Sequence, residues 1–260
     1  MSRSSAAKSP ARPAAAGWLW GRHAVAAALA NPRRPCLRLV ATLPALERLG
    51  DLARRPGLVI ETATPAAIAR LIGSDAVHQG LALAVGPLPA ATLDEVLPGH
   101  GPSLLLALDQ VTDPRNLGAI LRSAAAFAVD AVLVSERRSA EATGAAARAA
   151  AGGLDLVPLV EVVNLARALG ELQARGYWVV GLDGAASTTL DALPAFERLV
   201  LVLGGEGRGL RRLVAERCDR LARIPIAASI ESLNVAVAAG IALFTLRRSP
   251  PASVASITRS

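Results

Sequence analysis

The sequence predicts an α/β protein: a C-terminal, mostly parallel sheet preceded by a smaller α/β unit. Three observations predict it. From Leu104 onward, short apolar runs alternate with stretches at helical spacing, the pattern of a parallel sheet covered on both faces. Residues 17–87 alternate in the same way in shorter pieces. Between them, residues 88–103 are broken by Pro89, Pro98, Gly99 and Gly101 and read as a linker.

The first unit is read in order. "GRHAVAAALA" (21–30) is a helix that stops at Asn31-Pro32. "CLRLVAT" (36–42) is strand-like. Residues 43–55 are helical, with apolar Leu46, Leu49, Leu52 and Ala53. "GLVIETA" is a second strand. "TPAAIARLIG" carries a Thr64 cap, Pro65 at the first helical position and Gly73 at the end. "HQGLALAVGP" is a third strand. In the second unit, strands are expected at 104–108, 131–135, 157–160, 178–182, 199–203 and 221–226. Helices are expected at 117–128, 140–151, 163–175, 209–217 and 232–247. Residues 104–249 form the expected C-terminal domain, and 250–260 a tail.

Composition narrows the function classes. No 18-residue stretch is free of charge and polar breaks, so no membrane span is expected. Residues 1–16, rich in Ser, Ala and Pro with Arg3, Lys8 and Arg12, lack an apolar h-region and read as a disordered basic arm. The net charge is +7, which suits a polyanion such as RNA. Lys8 is the only lysine, and arginine favours bidentate phosphate contacts. GC-biased codon usage also accounts for the arginine and alanine. Cys36 and Cys218 are isolated, and His23, His78 and His100 lack ligand spacing. No metal site is expected, and a reduced cytoplasm is the default compartment.

Ligands of parallel sheets bind beyond the carboxyl ends of strands. Three turns fall there. In "DPRNLGAILRSA", Asn116 is a candidate helix cap, and Leu117, Ile120, Leu121, Ala124 and Ala128 form a buried stripe. Arg122 lies off that stripe, among Gly118, Ala119, Ala125 and Ala126. By spacing alone it fits an ordinary surface arginine equally well. In "LVLGGEGRGL", glycines at a strand end allow close backbone approach to a ligand. The spacing is GxGxG rather than the dinucleotide GxGxxG, and Ile224-Pro225 stands where that motif needs an acid. In "IPIAASIESLNVAVAAGIALF", Ser232 and Asn234 sit at a helix start, where capping alone would explain them. Leu233, Ala236, Val237, Gly240, Ile241 and Phe244 make the apolar stripe that follows, and Arg247 and Arg248 complement the helix dipole.

Together these strings resemble the three motifs of the SpoU/TrmH branch of the SPOUT RNA methyltransferases. "GRHAV" and "HQGLALAV" resemble the substrate-binding domain of the subgroup that methylates 23S rRNA. The resemblance spans residues 17–248. It implies an S-adenosylmethionine-dependent 2'-O-ribose methyltransferase acting on a guanosine, a deep trefoil knot near 199–235, and a homodimer. It also implies a ribosomal-protein-like RNA-binding N-terminal domain. Threading of this kind runs against the general rule for chain connections, so the knot rests on the resemblance alone. The implied functional residues are Asn116, Arg122, Glu206, Ser232 and Asn234. The implied cofactor contacts are Gly204, Gly205, Gly207, Ile224, Ile226, Leu233, Leu182 and Gly181.

The chain departs from the pattern at Ala227, Glu231 and Ala236, and at Asp155 within "AAGGLDLVP". RNA contacts are expected from the basic arm, the N-terminal unit and Arg115, Arg137, Arg138 and Arg148. Two other readings share these features: a tRNA 2'-O-ribose methyltransferase, and a ribosome assembly factor that binds RNA without turnover.

Overall fold

The computed structural model describes residues 17–135, 153–205, 207 and 209–248. The expected arm, the helix at 140–151 and the tail lie outside these residues. The described chain divides into two compact units: 17–25 with 32–89, and 26–31 with 90–248.

The first unit holds β1 (Gly17–Trp20), β2 (Cys36–Ala41), β3 (Val59–Thr62) and β4 (Leu81–Val85), in the order β1-β4-β2-β3. Only β2 and β3 run parallel; β4 is antiparallel to both β1 and β2. The sequence missed β1, whose "GWLW" is too short to show a period. Helices are α1 (Arg22–Ala30), whose residues 26–30 are counted with the second unit, α2 (Leu43–Leu49) and α3 (Pro65–Ile72). The Thr64 hydroxyl accepts the Ala67 N–H, as the cap reading requires. Residues 50–53 tighten into a 3-10 turn, so α2 buries Ala45 and Leu49 while Leu52 is exposed.

Residues 90–103 are not a free linker. They contain a short helix, α4 (Leu93–Val96), closed by a Thr92–Glu95 capping box. Ala91 is buried with Leu105, Tyr177 and Val200. The second unit therefore begins near residue 90.

Its sheet has six strands, all parallel: β5 (Ser103–Asp109), β6 (Ala131–Ser135), β7 (Leu159–Val162), β8 (Trp178–Leu182), β9 (Arg198–Gly204) and β10 (Arg220–Ala222). The order is β10-β8-β9-β5-β6-β7. The chain builds one half outward from β5, then crosses over and places β9 between β8 and β5. All seven residues of β5 are buried. Strand β10 is three residues long rather than six because its partner β8 ends at Leu182, opposite Ala222, and Arg223 pairs with residues 188–190 instead.

Helix α5 (Pro114–Ala126) starts earlier than expected. Pro114 presets the first helical φ, and Asp113, not Asn116, is the cap: its carboxylate accepts the Arg115 N–H at 2.8 Å. Leu117, Ile120, Leu121 and Ala124 are buried as the period predicts, each Leu or Ile contributing about 1.5–3 kcal/mol. Ala128 is not part of the stripe: the helix has ended, and Ala128 is exposed at φ +50. The other helices are α6 (Gly153–Leu156), α7 (Leu165–Ala174), α8 (Arg212–Ala215) and α9 (Val235–Arg248).

In α9 the apolar stripe is not a single buried face. Val235, Ala239, Ala242 and Leu243 are buried, whereas Val237, Ile241 and Phe244 are exposed. The helix is apolar nearly all round, so periodicity alone could not choose a face. Arg247 also departs from expectation. It donates to the carbonyls of Phe127 and Ala128, closing the end of α5 rather than serving its own helix.

A cleft at the strand ends and its neighbouring helix starts

The carboxyl ends of β8, β9 and β10 open into a cleft of about 500 Å3. Leu182, from the end of β8, lines it beside Asp183 and Gly184. Gly204, Gly205, Gly207 and Gly209 come from the loop after β9. Ile224, Ile226, Ser232 and Leu233 come from the segment after β10. The end of β8 and two of the three motifs, after β9 and after β10, thus supply one concave surface.

Two glycines in the wall are required by close packing. A Cβ on Gly204 would lie 2.2 Å from the Gly209 carbonyl carbon, and one on Gly205 would lie 2.4 Å from the Gln110 oxygen. Both obstacles are backbone and cannot move aside like a side chain. Gly207 differs: it needs its freedom for φ +76, with open space around it.

Gly181 does not line the cleft. A Cβ there would meet Leu210, Cys218 and Leu221 within 2.8 Å, on the packed side of β8. It lets the chain pack behind the cleft wall. Burial pushes the neighbouring Cys218 thiol up to about 12, helped by the carboxylates of Asp219 and Asp109. Cys218 therefore stays a neutral thiol at physiological pH.

The starts of α5 and α9 meet beside this surface. Asn234 Nδ2 donates to Asn116 Oδ1 at 3.1 Å. Asn234 Oδ1 accepts the Ala236 and Val237 N–H groups at 2.9 and 3.3 Å. Asn234 is therefore both the cap of α9 and the tie to α5. Ser232 lies outside the helix, exposed in the cleft wall.

Arg122 is exposed two turns along α5 from Asn116, with no ion-pair partner among the described residues. Arg115 is paired instead: its guanidinium meets Asp113 at 3.1 Å, which holds that carboxyl below its usual range. Glu206, Arg137, Arg138 and Arg148 lie outside the described residues. Sequence reasoning missed Arg211, whose guanidinium reaches the fully buried Asp109. A signal existed: cations at a helix start oppose its dipole, so Arg211 and Arg212 there called for an explanation.

Residues 103–244 match the SpoU rRNA Methylase family model. The chain belongs to the SpoU rRNA methylase family. Residues 18–91 match a second model, described as RNA 2'-O ribose methyltransferase substrate binding. The chain is 42% identical to the 23S rRNA (guanosine-2'-O-)-methyltransferase RlmB of Xylella fastidiosa, over 87% of this chain and 94% of that protein. It is 49% identical to RlmB of Pseudomonas aeruginosa, over 67% of this chain and 72% of that one. It is also similar to the AdoMet-bound rRNA methyltransferase from Sinorhizobium meliloti. That structure is 27% identical, with a TM-score of 0.73 over 90% of this chain and 87% of that chain.

Among the described residues, no group of His, Cys, Asp or Glu is arranged to hold a metal ion. No helix among them is long and apolar enough to cross a membrane.

Proposed function

We propose that the protein methylates the 2'-hydroxyl of a guanosine in 23S rRNA, using S-adenosylmethionine as donor. The observation that carries this reading is the glycine-lined cleft lying beside the Asn116–Asn234 contact in a chain of the SpoU family. A cleft of about 500 Å3 is within the range of small-molecule sites, ~300–1,000 Å3. Its apolar wall (Leu182, Leu203, Ile224, Ile226, Leu233) suits a purine, and Asp183 and Arg223 offer both signs of charge to an amino-acid zwitterion. Gly204, Gly205 and Gly207 give that ligand bare backbone. Gly181 acts one layer behind.

Bound there, S-adenosylmethionine supplies an electrophilic methyl group on a sulfonium. The chain's own residues must align the ribose and manage the charge that develops on its oxygen. Alignment of two reactants is worth ~7–11 kcal/mol. The Asn234 cap fixes Asn116, which with Ser232 orients the ribose. Arg122 holds the ribose or an adjacent phosphate and stabilises the developing oxyanion. An arginine is effectively always protonated, so the proton leaves through phosphate or water rather than through Arg122. Glu206 belongs to the proposed set by the family resemblance.

The reading also includes a homodimer, a deep trefoil knot and a cytoplasmic location. The exposed apolar row Val237, Ile241 and Phe244 supports the dimer. The insertion of β9 between β5 and β8 supports the knot, as does the return of the chain from the edge strand β10 to α9 against α5. The N-terminal unit selects the RNA, since ribose chemistry alone distinguishes few targets.

The test is to incubate the protein with 23S rRNA, tRNA and labelled cofactor, then map the 2'-O-methyl site. Label on a single guanosine of 23S rRNA is expected. Label on tRNA instead would replace the target, and no transfer to either RNA would leave the assembly-factor reading. RNA affinity should fall steeply with salt; a flat response argues against RNA as the partner.

A further inference from the structure

We propose that Asp109 and Arg211 are positioning residues: a latch that seats the glycine loop of the cleft and ties it to the helix carrying Asn116 and Arg122. The inference rests on reading the cleft as the S-adenosylmethionine site.

Asp109 is the last residue of β5 and is fully buried. It holds both ends of the segment 205–211. Its carbonyl oxygen accepts the Gly205 N–H at 2.8 Å. Its Oδ2 accepts the backbone N–H of Arg211 at 2.8 Å. Its Oδ1 accepts the Arg211 Nε–H at 2.7 Å and forms an ion pair with Nη2, also at 2.7 Å. Within the loop, Gly209 N–H donates to the Gly205 carbonyl at 3.2 Å, closing the ends on each other. A loop of glycines has little intrinsic preference for one shape. Here one carboxylate and one carbonyl impose it.

The same residue governs the other side of the site. Gln110, next in the chain, turns at φ +64, and its carbonyl is the surface against which Gly205 packs. Four residues beyond Gln110, α5 begins at Pro114. The loop and the helix start thus share one anchor at the end of β5, so a shift in one displaces the other.

The charge makes the anchor strict. A carboxylate removed from water needs partners for its lone pairs, and Arg211 supplies its backbone N–H and Nε–H as donors, with Nη2 as an ion-pair contact. Arg211 is itself half exposed, so it can be changed without opening the core.

The experiment uses the full chain with Arg211→Ala and Arg211→Lys beside wild type. Binding of S-adenosylmethionine is measured by calorimetry, turnover on RNA kinetically, and amide exchange by mass spectrometry. For Arg211→Ala the expected result is at least a tenfold rise in Kd for S-adenosylmethionine and a lower kcat. KM for RNA should stay unchanged, and exchange should quicken across 205–211 but not in β9. Arg211→Lys keeps the charge with one prong and should recover part of the affinity. If Arg211→Ala melts earlier yet binds and turns over like wild type, the pair is only a structural staple and the proposal falls. Wild type that binds no S-adenosylmethionine overturns the cleft reading, and the latch's role with it. Wild-type binding with an unaffected Arg211→Ala overturns the latch alone.

Discussion

The ends of β5 and β10 meet the same region and are built in opposite ways. After β5, Asp109 is fully buried and takes part in four hydrogen bonds or ion-pair contacts. Gln110 is locked against Gly205, and Asp113 caps the helix that follows. After β10, residues 225–232 are all exposed. Their internal backbone hydrogen bonding, among the described residues, is Ile230 N–H to the Ala227 carbonyl at 3.0 Å. Ile226 and Ile230 stand in solvent. The difference teaches a division of labour. The β5 end fixes the backbone of the glycine loop and the start of α5 by hydrogen bonds and close packing. The β10 end presents apolar side chains on a lightly held segment, suited to settling on a ligand.

The largest effect should come from the fixed side. Arg122→Lys is expected to lose about 10²–10³-fold in turnover, the scale of losing one preorganised charge-stabilising group, with S-adenosylmethionine affinity near normal. Near-normal turnover would remove Arg122 from its role. Next is Gly204→Ala. Its Cβ would stand 2.2 Å from backbone, so the loop must shift, at ~1–3 kcal/mol by the scale of overpacking. A lower melting temperature together with at least tenfold weaker cofactor binding is expected; unchanged binding would mean that the loop does not form the site.

Asn234→Ala should be milder. It removes the cap of α9, worth ~1 kcal/mol, and frees Asn116. Melting should drop by a few degrees, and kcat should fall more than KM. Equal loss in Asn116→Ala and in the double variant would show that the two act as one unit. The smallest effect belongs to the open segment. Ile230→Ser should change stability by no more than about 0.5 kcal/mol. A large drop in melting temperature there would contradict the contrast between the two strand ends.

Much of the second unit was legible from spacing. Strands 131–135 and 178–182 carry the expected bounds, because buried parallel strands are short continuous apolar runs between turns. The stripe Leu117, Ile120, Leu121 and Ala124 was legible because Arg122 and Arg115 mark the opposite face of α5. Helix α9 offers no such mark: Val237 and Leu243 read alike in sequence, yet one is exposed and the other buried. Boundaries failed where the pattern was overridden, by the end of the partner strand β8 for β10 and by Pro114 for α5. Residues 88–103 read as linker because Pro89, Pro98, Gly99 and Gly101 break any period, while the burial of Ala91 depends on contacts more than ten residues away.

By itself, the sequence determined the α/β alternation, the three turns at strand ends and the basic character that suits RNA. These follow from period, punctuation and charge, which are local or additive. Tertiary structure alone decided that Gly181 stands behind the cleft lined by Gly204, Ile224 and Leu233, and that Asn234 reaches Asn116 across 118 positions. It also decided that Asp109 meets Arg211. Sheet order brings such residues together, and it arises from long-range burial that no local spacing records.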